Sequence, residues 1–79
     1  MDWITEMTMQ LARETKLDVG DLLVDEVAKD TLLDLAAVAA HTSGDRTNAP
    51  LLCHVIGRAV ARGATLEDCA LVVREFAAE

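Results

Sequence analysis

His54, Arg58 and Arg62 recur at four-residue intervals within the stretch Thr47–Gly63. On a helix that interval places side chains in one slowly drifting row, so these three form a polar stripe along an otherwise apolar segment. Arg46 lies just before this stretch and His41 a few residues earlier. Cations beside the start of a helix suit a phosphate or carboxylate, because the helix N-terminus adds its own positive dipole. His41, Arg46, His54, Arg58 and Arg62 are therefore the expected anion- or partner-binding residues. The bland alternative is that they pair with the acids of the first half of the chain, or are simply solvated.

The other reactive residue types are less promising. Cys53 and Cys69 fall on different segments, within or beside apolar faces, and read as small buried hydrophobes with free thiols. Sequence cannot bring their Cα atoms within disulfide reach. No Cys-x-x-Cys or His-x3-His spacing is present, and adjacent Cys53 and His54 point about 100° apart on a helix. No metal and no cofactor is expected. The pairs Asp21/Asp25 and Asp30/Asp34 share helical faces, but they sit among polar positions, where nothing raises a carboxylate pKa for acid–base work. Ser43, the only serine, has His41 two residues before it but no Gly-x-Ser-x-Gly setting, and no phosphate-binding glycine motif occurs. The expectation is a protein that is not an enzyme.

Composition limits the partners. The net charge is −7 in 79 residues. Residues 1–40 hold nine acids against three bases, and residues 41–79 five acids against four bases. An acidic chain is a poor match for nucleic acid or an anionic membrane surface. No apolar run reaches transmembrane length, and Met1-Asp-Trp-Ile lacks the basic start of a signal peptide. A cytoplasmic location is expected. Apolar residues make up 52%, too many for disorder. With Trp3 and Phe76 the only aromatics, the core must be Leu, Val, Ile, Ala and Met.

The elements that would position these residues are helices. Asp2 caps a first helix over about 3–15, with Trp3, Ile4, Met7 and Leu11 as its buried stripe. Lys16 to Asp21 reads as a turn broken by Gly20, and Leu22, Leu23 and Val24 as a short helical turn lidding the core. Asp25 caps a second helix over about 26–42, with Val24, Ala28, Leu32, Leu35 and Ala39 inward. After a polar loop, Asn48 caps a third helix with Pro50 in its first turn. Gly57 in that helix suggests close approach by a neighbour, and Gly63 ends it. Thr65 then starts a fourth helix over about 66–78, burying Leu66, Cys69, Ala70, Val73 and Phe76. The expected fold is all-α, one domain over residues 1–79, a small four-helix bundle or orthogonal array with the third helix central.

Two family likenesses arise. Leu17-Asp-Val-Gly-Asp-Leu-Leu superficially resembles an acyl carrier protein, another acidic four-helix chain. Carriers attach their prosthetic group to a serine at the start of the second helix, where this chain has Asp21-Leu-Leu, so that likeness fails. A second likeness holds over nearly the whole chain. Leu32-Leu-Asp-Leu-Ala, Ala39-Ala-His41, Arg46-x-x-Ala49-Pro50-Leu51, Gly57-x-Ala59 and Trp3 resemble a family of small actinobacterial helical domains that occur alone or appended to molybdenum cofactor guanylyltransferases. The resemblance implies a helical fold and a link to the making of molybdopterin guanine dinucleotide. It supplies no catalytic residues, and the glycine-rich nucleotide-binding start of the guanylyltransferase is absent. The leading expectation is thus a non-catalytic interaction module serving that pathway through a guanylyltransferase-like partner protein or an anionic ligand. The alternative is a general interaction or homodimerisation domain, monomeric or weakly dimeric, using an apolar face that four short helices leave partly exposed.

Overall fold

The computed structural model of the chain describes residues 2–79. Four α-helices account for most of it: α1 (Trp3–Thr15), α2 (Glu26–Ser43), α3 (Asn48–Ala61) and α4 (Leu66–Ala77). A three-residue 3-10 turn, Val19–Asp21, interrupts the first connection. The all-α expectation holds, and the helix boundaries fall within about one residue of those read from caps and periodicity.

Side-chain caps explain the sharp starts. Asp2 accepts from the Thr5 backbone N–H at 2.9 Å, Asp25 from that of Ala28 at 2.8 Å, and Thr65 Oγ1 from that of Asp68 at 3.1 Å. Each satisfies one donor that the first helical turn leaves without a partner. The start of α3 differs from expectation, because Asn48 caps nothing. Its side-chain amide donates to Ser43 Oγ at 3.0 Å. Instead Asp45 Oδ1 accepts from both the N–H and the hydroxyl of Thr47, at 2.9 and 2.6 Å, and fixes the turn into the helix. Gly44, at φ 73°, supplies the left-handed step that ends α2.

Packing centres on α2 and not on α3 as expected. α2 lies against both α3 and α4, and Leu35 on it is the one fully enclosed large side chain. Leu35, Ile56 of α3 and Ala70 of α4 form the buried core, and Leu32, Leu52, Leu66, Cys69 and Val73 pack around them. Alanines at 28, 36, 39 and 40 give α2 a low surface on two sides, which lets one helix serve two neighbours. The Cys53 thiol reaches the Leu32 carbonyl at 3.8 Å, and both cysteines are free and half-buried.

The largest departure is α1. None of its Cα atoms comes within 8 Å of α2, α3 or α4; its only helical neighbour is the 3-10 turn. Ala12 is its buried residue, with Thr5 and Thr8 half-buried on the same side. Most of the expected inward stripe faces out instead, with Trp3 72% and Ile4 and Leu11 half or more exposed, while Met7 is half-buried. The connection is closed by backbone bonds: Lys16, at φ 61°, caps α1 with its N–H on the Arg13 carbonyl, and Leu17 N–H returns to the Ala12 carbonyl. The short helical turn therefore forms at Val19–Asp21, three residues before the expected one, and Leu23 and Val24 remain half exposed.

The shape records this. The molecule extends 41 × 25 × 20 Å with a radius of gyration of 13.5 Å, against about 12 Å for a compact chain of its length. Its accessible surface is 6154 Å², where a compact monomer of its mass exposes about 4,700 Å².

Candidate functional site

The five cations all stand exposed. His41 occupies the last turn of α2, Arg46 the loop, and His54 and Arg58 the outer side of α3. Arg62 caps the C-terminal end of that helix, its backbone N–H returned to the Ala59 carbonyl and that of Gly63 to Val60. Successive members of the stripe rise about 6 Å, so His54 and Arg62 stand about 12 Å apart along the helix axis. The row is a basic rim suited to an extended acidic surface. Among the described residues the one ion pair is Arg74–Asp34, so no arginine of the rim is engaged by the acidic first half of the chain.

Beside this rim lies an apolar groove of about 550 Å³. Val38 and Ala39 of α2 form its floor, Leu51 and Val55 of α3 one wall, and Val72 and Phe76 of α4 the other. Thr42, Ser43 and Asn48 close one end with hydroxyl and amide groups. Leu51 is 60% and Phe76 73% exposed, so the walls are large apolar side chains standing in water. Phe76, expected in the core, sits here because Val73 and Ala70 already fill the side of α4 that meets α2. A smaller cleft of about 380 Å³ runs between the N-terminal halves of α2 and α4, with Asp25, Glu67 and Arg74 among its lining.

None of the five cations lines either depression. Helical spacing nonetheless relates the rim to the groove. Leu51, Val55, Arg58 and Arg62 follow one another at steps of four, three and four, so the apolar wall continues along the same face of α3 into two arginines. The sequence signal for the groove was therefore present. Leu51/Val55 and Val72/Phe76 are four-residue apolar pairs lying beyond what the core stripes need.

The resolved pKa changes are at Asp45 and Asp2. Both carboxyls are held below their ordinary value, Asp45 by the Thr47 hydroxyl and N–H, and Asp2 by its bonds to Thr5, with Lys29 and the chain N-terminus adding to the effect. Among the described residues no cluster of three His, Cys, Asp or Glu is placed to hold a metal, and no helix is long and apolar enough to cross a membrane.

Fold and site together describe a small all-α array with an open apolar groove whose α3 wall continues, beyond the groove, into Arg58 and Arg62. The chain belongs to DUF6457, a domain of unknown function whose family profile matches residues 1–79. No curated protein and no solved structure matches it.

Proposed function

We propose that this domain is a non-catalytic interaction module whose working surface is the groove between α2, α3 and α4. The observation that carries the reading is the exposure of Leu51, Val55, Val72 and Phe76 around one concavity. Four large apolar side chains in water around a single depression are unfavourable unless something covers them. A groove of this shape suits the apolar face of an amphipathic helix, whose anchors recur at three- and four-residue steps. Arg58 and Arg62, which follow its α3 wall along the same helix face, favour a partner segment bearing carboxylates.

The likeness to domains appended to molybdenum cofactor guanylyltransferases supplies the partner to test: a guanylyltransferase of that kind, with this module acting in the making of molybdopterin guanine dinucleotide. The test is a calorimetric titration of the purified enzyme with this chain. Binding is expected, weakened at least about tenfold by Phe76→Glu, because a buried carboxylate would replace an anchoring ring. Absence of heat and of co-migration in gel filtration would remove the guanylyltransferase from the proposal.

The cationic row supports a second arm of the same reading, in which His41, Arg46, His54, Arg58 and Arg62 meet an anionic ligand or acidic surface directly. Titration with inorganic phosphate, followed by amide shifts over residues 46–62, tests it, and unmoved resonances there would sink it.

A further inference from the structure

The groove and the stranded face of α1 have matching properties. Exposed Trp3, Ile4 and Leu11, with half-buried Met7 between them, form an apolar stripe about 12 Å long, and the α3 wall from Asn48 to Val55 is about 10 Å long. α1 with its cap carries Asp2, Glu6 and Glu14 against Arg13, while residues 46–62 contain three arginines and no acid. The α4 lip carries Glu75, so α1 would lie with its carboxylates toward the α3 side.

The chain's own α1 is badly placed to fill this groove. Asp2 at its start feels the charge of Lys29 in the first turns of α2, whereas the groove is floored by Val38 and Ala39 and closed by Ser43, about 14–21 Å further along that helix. The bonds of Lys16 to Arg13 and of Leu17 to Ala12, with the capped turn at Val19, hold α1 to its connection, and no Cα of α1 comes within 8 Å of the other α-helices.

We infer that the groove is occupied by α1 of a second copy of this chain, in a two-fold dimer that exchanges α1 helices reciprocally. Each chain exposes about 1,500 Å² beyond what a compact monomer of its mass would, and a stable interface takes about 800 Å² from each partner. One isologous contact, made twice, therefore has enough surplus surface to draw on. The inference rests on the groove being an interaction surface, and it adds that self-association competes with any other partner for it.

The single tryptophan makes the test direct. Sedimentation equilibrium and Trp3 emission are followed from about 1 µM to about 1 mM. The expected result is a doubling of mass and a shift of emission to shorter wavelength, with one shared midpoint. Phe76→Glu on the groove and Leu11→Glu on α1 each weaken association at least about tenfold. Both sites are exposed, and unchanged helical circular dichroism checks the fold. Mixing the two variants gives a heterodimer tighter than either variant alone and weaker than the parent, because one of its two α1–groove contacts is intact and the other is altered on both sides.

A monomer across the whole range with unchanged emission overturns the inference. So does a monomer whose emission is already short at every concentration, since α1 would then fill its own groove. A monomer that still binds the guanylyltransferase removes the dimer alone; a dimer that does not bind it removes that partner alone.

Discussion

Arg74 of α4 reaches Asp34 of α2 with Nη2 2.9 Å from Oδ2, forty residues apart in sequence and both more than half exposed. The pair ties together two helices whose shared core is small: Leu35, Ala70 and the half-buried side chains around them. Solvent screens it, so its expected coupling is about 0.2–1 kcal/mol. A double-mutant cycle of Arg74→Ala and Asp34→Ala in urea measures that coupling, which should shrink as salt is raised from low to high ionic strength. A value well above this range would mean that the pair is desolvated in solution by a neighbour that covers it.

Leu35 should be the most sensitive single position in the chain. It is wholly enclosed, and Leu35→Ala both removes buried methyl groups and leaves a cavity between three helices. The expected loss is about 2–5 kcal/mol, against a total of roughly 4–12 kcal/mol for a domain of this length. The variant is expected to melt far lower or not to fold. Phe76→Ala, on a ring that is almost three-quarters exposed, should leave monomer stability nearly unchanged. Urea titrations at a concentration where the chain is monomeric provide the comparison.

These two positions show what was legible in the sequence. Caps at Asp2, Asp25 and Thr65 are local, since the accepting side chain and the donor N–H lie three residues apart, and each reads directly from the residue order. Leu35 was recoverable because it lies in the apolar row of α2. Phe76 and Trp3 were misread for the same reason as each other. A four-residue apolar spacing says that a face is apolar and does not say what, if anything, covers it. For Phe76 the covering place on α2 was already taken by Val73 and Ala70; for Trp3 the helix itself stands off. The cationic row was legible as a row, whereas its separation from the groove depends on how α2, α3 and α4 pack.

The turn into α3 also lay beyond the sequence reading. Asn48 before Ala49-Pro50 is a reasonable cap by type, but Asp45, with two bonds to Thr47, reaches that turn from three residues earlier and leaves Asn48 to Ser43. The pattern Gly44-Asp45-Arg46-Thr47 is the local signal for it, an aspartate bonding the backbone two residues ahead.

That arrangement predicts an acid-sensitive component of stability. Asp45 and Asp2 have folded-state pKa values below their ordinary value. Between the folded and unfolded values the unfolded chain binds more protons, so stability rises with pH there. Their contribution is fully present above the ordinary carboxylate range, about pH 4, and is lost as pH falls through the lower folded values. Melting temperatures measured from pH 7 down to pH 2 should show this. Asp45→Ala should lower the midpoint at pH 7 and converge on the parent chain at the acid end. A constant offset at every pH would show that the Thr47 bonds do not depend on the carboxylate charge.

Gly57 gives the one substitution expected to stabilise the fold. A glycine inside a helix invites the explanation that another helix passes close by, yet a Cβ built at this position meets no atom within 4 Å, and its φ is not positive. The residue lies on the exposed side of α3, one position before Arg58 in the cationic row. An added methyl group would thus cause no clash in the isolated chain, and Gly57→Ala should gain about 0.5–1 kcal/mol through helix propensity and a less flexible unfolded state. Chemical denaturation of the monomer measures this. The same variant also probes the outer surface of α3. If Gly57→Ala stabilises the chain but weakens its association with a second copy or a partner enzyme, the glycine is kept for close approach by a helix from another molecule. If both stability and association rise together, the approach is confined to the wall formed by Leu51 and Val55, and Gly57 lies outside the contact.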